Sequence, residues 1–291
     1  MNIDGIAIWQ YATPVAVAAL GETVAQRTGV IHIGLEGAML VGAFFGMLAA
    51  YTTGSPWVGV MAAMLAGTAL SAIFAWLTVL RAADQVVVGT AINLFALGIT
   101  GTLYRSQFGQ SGKILSVPKL PVLAGRIDAV QLLTIIATIG IALMFRLSAL
   151  GLAMRSAGEY PKATESAGFS ALKLRMAGTL VSGALGGLAG AYLSLGIAGA
   201  FAENMTAGRG FLAIAMVTFG RWNAVGVVGA ALLVGFADSL QYSLQAGRSV
   251  IPFQLLIALP YLVALLVLIF VGKGTRAPAA LGQAYRKEGT A

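Results

Sequence analysis

The stretch 176-MAGTLVSGALGGLAGAYLSLGIA-198 contains no charged side chain. A helix that crosses the ~30 Å hydrocarbon core of a membrane needs about 20 such residues in a row. The strands of a membrane barrel would be shorter and would alternate apolar with polar. Only these two structures satisfy every backbone group inside lipid, so the run reads as a membrane helix. Gly183/Gly187 and Gly186/Gly190 form two overlapping G-x-x-x-G pairs, and Gly42/Gly46 form a third in an earlier run. Small residues four apart let helix backbones approach closely, so these glycines read as packing positions.

The rest of the chain has the same character. It has 291 residues, 58% hydrophobic and 10% charged, with a mean hydropathy of +0.88. Soluble domains carry about 25% charged residues, so this chain cannot clothe a water-facing surface. Gly is 38 of 291, well above the usual ~7%. Apolar spans fall at about 5–20, 37–53, 57–80, 85–104, 129–147, 176–198, 210–220, 224–244 and 252–272. The expected fold is all-α: a polytopic transmembrane bundle of about 8–10 helices in one domain, residues 1–291. The 210–220 span reaches only about 16 Å at 1.5 Å per residue, which predicts a broken or re-entrant helix. Two stretches, 21-GETVAQRTGVIHIGLEGAMLVGAF-44 and 208-GRGFLAIAMVTFGRWNAVGVVGA-230, both pair a short Gly-bounded apolar piece with a span. That weak echo points to an inverted repeat, common in transporters.

Charge sets the orientation. With nine crossings and the N-terminus outside, twelve of the 18 Lys and Arg face the cytoplasm and six face out, the sense of the positive-inside rule. The 148–175 loop and the 273–291 tail are then cytoplasmic. The net charge of +8 forms no basic stripe, so no nucleic-acid partner is expected. Cysteine is absent, which excludes disulfides and thiol chemistry. The start "MNIDGIAIWQYATP" has no basic n-region and does not read as a cleaved signal.

Residues 153-AMRSAGEYPKATESAGFSALKLR-175 form the longest strongly polar interior stretch. Pro161 suits the first turn of a helix and Gly168 supplies a stop, which predicts a two-turn helix from Pro161 to about Ala167. Such a helix is marginal alone in water and needs a surface to hold it. Lys162 and Glu165 share a face at i, i+3. Two readings stand: an amphipathic loop on the lipid surface, or a transverse helix that plugs into a soluble subunit.

At this point a resemblance becomes specific. The stretch 151-GLAMRSAGEYPKATESAGFSALKLRMAGTLVSGALGGLAGAYLSLG-196 resembles the coupling-loop region of ABC importer permeases of the branched-chain amino acid, ribose and nucleoside superfamily. Gly151, Arg155, Gly158, Glu159, Pro161, Ala163 and Gly168 match its pattern; Ser156, Tyr160 and Thr164 depart from it. The 21–44 stretch resembles the family's N-terminal signature, with His32 where Asn is usual. Residues 84-DQVVVGTAINLFALGITGTLYR-105 and 232-LLVGFADSLQYSLQ-245 resemble the purine-nucleoside and simple-sugar branch. The resemblance implies a permease subunit in the bacterial cytoplasmic membrane. Its implied partners are a cytoplasmic ABC ATPase, a second permease subunit (in a hetero- or homodimer), a substrate-binding protein and lipid. It implies that Glu159, Tyr160, Pro161, Lys162, Ala163, Thr164, Ala167 and Gly168 couple to the ATPase.

Other motifs are weaker. In 109-GQSGKI-114, Gln107 and Ile114 stand where a phosphate loop needs Gly and Ser or Thr. The Ser111 G-x-S-G match needs a histidine from another helix, and the one histidine, His32, is expected on the opposite side. No catalytic residue, metal ligand or cofactor is expected. For the substrate path, Thr90, Asn93 and Thr100 roughly share a helical face, and Asn offers both donor and acceptor; the structural alternative is interhelical glue. Asp238, near Gln241, is a carboxylate in mid-span, a functional candidate by default, with an Arg or backbone partner as the alternative. Glu36 at the mouth of its span is either path-lining or an acid favoured by the helix dipole. The rival function is an ion-coupled secondary transporter, which would lean on membrane carboxylates.

Overall fold

The computed structural model describes residues 4–109, 116–124, 127–246, 252–271 and 276–286. Its elements are α1 (Gly5–Arg27), α2 (Leu35–Thr53), α3 (Pro56–Ala75), α4 (Gln85–Phe108), a small hairpin β1 (Val122–Ala124) and β2 (Ile127–Asp128), α5 (Ala129–Leu147), α6 (Ala149–Glu159), α7 (Pro161–Ser166), α8 (Ala171–Ala191), α9 (Arg209–Phe219), α10 (Ala224–Ala246) and α11 (Phe253–Val271). The C-terminal turns of α3 and α8 widen into π-helix, at Trp76–Leu80 and Tyr192–Ala198. Each of the nine apolar spans is a helix over its described residues. The difference from the expected count lies in the 148–175 loop, which holds two helices, α6 and α7. Ser148 caps α6 through Gly151 N, and Ala153, Met154 and Ala157 give it a buried side against α8, so it forms beyond the segment that Pro161 signals.

Six helices are long and apolar enough to cross a membrane among the described residues: Leu35–Thr53, Pro56–Leu80, Gln85–Phe108, Ala129–Leu147, Ala171–Ala198 and Ala224–Gln245. The chain is a multi-pass membrane protein. As predicted, α9 is short, with 11 residues.

α8 is the central helix and packs on α1, α2 and α3. The glycines decide this: a Cβ on Gly187 would fall on the Ala63 carbonyl of α3, and Gly42 of α2 lies against the Gly187 backbone from the other side. Backbone contact of that closeness is what small residues at four-residue spacing permit. α1 is covered all round, with every residue from Ala12 to Gln26 buried. It runs well past the predicted end near residue 20. This carries Glu22, a fully buried acid that the predicted span left out. It is answered locally: Glu22 accepts from Gln26 Nε2 (2.9 Å), His32 N (3.1 Å) and Ser182 Oγ (3.2 Å). The outer helices show the opposite pattern. α4 exposes Val86, Val87, Leu94 and Phe95, and α5 exposes Leu132, Ile135, Ile136 and Ile139, apolar surfaces suited to lipid tails.

Candidate functional site

The two echoing stretches meet where α2 and α9 begin. Glu36, second in α2, reaches across to α9: its Oε1 accepts Gly208 N at 2.8 Å and its Oε2 accepts Gly210 N at 2.6 Å. The first N–H groups of a helix have no partner within it, and a carboxylate there is favoured by the helix dipole. Glu36 thus serves as the acid at a helix start, and the helix whose N–H groups it binds is α9, 172 residues further along the chain.

Arg209 opens α9. Its Nη2 lies 3.7 Å from Asp238 Oδ2 of α10, with the carboxylate almost wholly buried. Gln241 stands one turn on, and Tyr261 of α11 donates its hydroxyl to the Ala207 carbonyl. The Arg209–Asp238 pair borders two small cavities. One, of about 80 Å³, includes Gln241 and Tyr261 in its lining; the other, of about 110 Å³, includes Tyr11 and Tyr242. Both are smaller than the ~300–1,000 Å³ of sites for small organic ligands. An Arg or backbone partner for Asp238 is among the sequence expectations; the structure makes it Arg209, which nothing local links to an acid 29 positions away.

Asn93 of α4 stands beside this junction. It donates through Nδ2 to the Ile33 carbonyl at 2.9 Å and accepts Gly37 N at 2.8 Å. It therefore fastens α4 to the turn that precedes α2. The shared face expected for Thr90, Asn93 and Thr100 does not hold as one environment. Thr90 is exposed and Thr100 is buried, and each hydroxyl donates to the carbonyl four residues back in its own helix, a habit of mid-helix Thr. His32 is fully buried between Ser71 Oγ (3.2 Å from Nε2) and Ser182 Oγ (3.1 Å from Nδ1). It belongs to the packing of the 28–34 turn. Ser111 and Lys113 lie outside the described residues.

The second constellation surrounds α7. Pro161 starts this helix, Ala167 caps it, and Gly168 reverses the chain at φ +85°. Thr164 is buried and donates to Ser156 Oγ of α6 at 2.8 Å, while Glu165 accepts Ala171 N at 3.0 Å at the start of α8. The outer side carries Tyr160, Lys162, Ala163, Ser166 and Ala167, all exposed. Beneath it, Gly158 lies so close to the Arg27 carbonyl that a Cβ would overlap it. The C-terminal segment straps the same place. Ala280 N donates to Gly158 O (2.8 Å), Ala279 N to Glu159 Oε2 (3.1 Å) and Gly282 N to Gly29 O (3.0 Å). Arg175 holds that strap from α8 by donating to Gln283 O at 2.7 Å. Nothing in the sequence of this segment announces the strap, because backbone hydrogen bonds leave no composition signal.

Known proteins align with nearly the whole chain. The family described as "Branched-chain amino acid transport system / permease component" matches residues 5–272. A guanosine ABC transporter permease protein of Bacillus subtilis (strain 168) is 36% identical, over 95% of this chain and 94% of its own length. A nucleoside ABC transporter permease protein of Lactococcus lactis subsp. cremoris (strain MG1363) is 34% identical, over 95% and 94%. A putative glucose ABC transporter permease protein of Haloferax volcanii is 30% identical, over 96% of both. No solved structure matches the chain. A multi-pass bundle built round a glycine-packed central helix and matched from its first helix to its last belongs to the family of branched-chain amino acid transport system permease components.

Proposed function

We propose that the chain is the transmembrane subunit of an ATP-driven importer in the bacterial cytoplasmic membrane, and that its substrates are nucleosides. The observation that carries this reading is the end-to-end likeness to guanosine and nucleoside permeases at 36% and 34% identity, above that to the glucose permease at 30%. ATP would be hydrolysed on a separate ABC ATPase. A substrate-binding protein would deliver solute from outside to a path between this chain and a second permease subunit.

The geometry supplies a mechanical route for this scheme. α7 offers a short, outward-facing knob, and α6 beneath it bears on the end of α1 at Arg27. From there the chain turns through His32, wedged between α3 and α8, and Ile33, held by Asn93. It then reaches Glu36, the cap of α9. A push on α7 would thus be transmitted through packed backbone to the α2–α9 junction, beside the Arg209–Asp238 pair. ATP-driven switching between outward- and inward-open states requires that the ATP-bound and ATP-free ATPase favour different states of the permease.

Uptake of labelled guanosine and of labelled glucose by cells expressing the complete transporter, with and without this chain, tests the reading. Guanosine uptake that depends on this chain and on ATP, with little glucose uptake, is expected. Glucose uptake alone would move the substrate to simple sugars. Solute uptake driven by an ion gradient without the ATPase would replace the class by a secondary transporter.

A further inference from the structure

Three arginines from three helices converge on one cavity at the face of the bundle that carries α7. Arg27 ends α1, Arg146 lies in the last turn of α5, and Arg155 stands in α6. With Ala142, Phe145 and Val225 among its other walls, the cavity measures about 440 Å³, within the ~300–1,000 Å³ of small-ligand sites.

Its positive charge is poorly answered. Arg27 donates Nε to the Trp222 carbonyl at 2.8 Å, and Arg155 Nε is shut off from water with no hydrogen-bond partner. Arg27 and Arg155 repel each other. Glu159 attracts Arg27, but its carboxylate already accepts Ala279 N. No carboxylate lines the cavity among the described residues. The start of α10 adds to the field: Asn223 caps it by accepting Val225 N at 3.1 Å, so its positive dipole end opens onto the same space. Three guanidiniums in a concavity are costly alone and well suited to a tetrahedral anion, which each can bind through two parallel N–H bonds.

The level of the cavity identifies the anion's source. α1 and α5 end here and α10 begins here, so the arginines mark the boundary of the apolar layer. Val225, on the wall, is 63% exposed, and Ala142 lies one turn into α5. An ion from solution has no use for such a wall, whereas lipid chains do. Basic pockets between membrane helices are a known setting for acidic headgroups.

We propose that this cavity binds the phosphate group of an anionic phospholipid, with Arg27, Arg146 and Arg155 around its oxygens and acyl chains along Ala142 and Val225. The test uses the full chain, purified in mild detergent and stripped of lipid in steps. Native mass spectrometry then follows retention of added phosphatidylglycerol or phosphatidylcholine, and a parallel arm titrates inorganic phosphate. Phosphatidylglycerol should be retained over phosphatidylcholine. Arg146→Gln and Arg155→Gln should each weaken its retention about tenfold, the worth of one charge-assisted hydrogen bond. Arg146 is exposed, so its variant tests the site without threatening the fold, and Arg155→Lys should keep part of the preference. Displacement by inorganic phosphate at equal concentration would overturn the lipid assignment in favour of a free anion. Equal retention of both lipids, or retention unchanged in Arg146→Gln and Arg155→Gln, would overturn the site.

Discussion

At the scale of residues, the junction below α9 is organised by two acids with different tasks. Glu36 satisfies two backbone N–H groups, whereas Asp238 answers one guanidinium across 3.7 Å. Removing one partner of a buried pair leaves the other charge uncompensated, which costs more than removing both. Asp238→Asn should therefore lower stability by about 1–3 kcal/mol, the cost of a largely buried group left without its partner, and the double variant Arg209→Gln/Asp238→Asn should recover part of it. Thermal unfolding in detergent reads the four corners of this cycle; strictly additive losses would mean that the two side chains are not coupled. Asp238 was legible as a candidate because a carboxylate within an apolar run stands out in any sequence. Its partner was not, since the contact depends on how α9 and α10 lie side by side. Glu22 shows the same limit: the apolar count stops near residue 20, yet α1 continues because Gln26, His32 and Ser182 supply the donors that its carboxylate needs.

At the scale of elements, α7 is the clearest case of local rules setting local structure. A proline at the first position and a glycine at the stop define a helix from Pro161 to Ser166, one residue short of the expected end. What local rules could not show is which side faces out. Thr164 is drawn inward by Ser156, and that leaves Ala163 and Ala167 on the outer side. If this side enters a groove on the ATPase, Ala163→Trp should abolish co-purification with the ATPase and reduce uptake at least tenfold, while the chain still inserts. Lys162→Glu should cost far less, because exposed ion pairs contribute only ~0–1 kcal/mol. A helix that rests on headgroups would respond in the reverse order, since Trp favours the membrane interface. Pull-down of the ATPase from membranes of the two variants separates these outcomes.

At the scale of the whole molecule, the glycine-lined α8 lets α2 and α3 come within backbone contact, and α1 is enclosed between α8 and α10. The orientation proposed from charge places α7 inside the cell and the turn after α2 outside. Since the chain has no cysteine, Thr53→Cys and Lys162→Cys can each be labelled alone. An impermeant thiol reagent applied to intact cells should modify Thr53→Cys and spare Lys162→Cys, and the opposite pattern would invert the orientation. The class of fold, the nine apolar helices, the short α9 and the small two-turn helix are legible along the chain. Each of these follows from quantities that are local along the chain: apolar run length, charge density, and the backbone preferences of proline and glycine. Packing in three dimensions sets the rest: Glu36 caps a helix from the other half, Arg209 meets Asp238, the C-terminal segment straps the face beneath α7, and three arginines share one cavity. Those depend on how backbones cross and on which polar groups must find partners once water is excluded. Such pairings are made between residues tens to nearly two hundred positions apart, and no spacing rule within the chain encodes them.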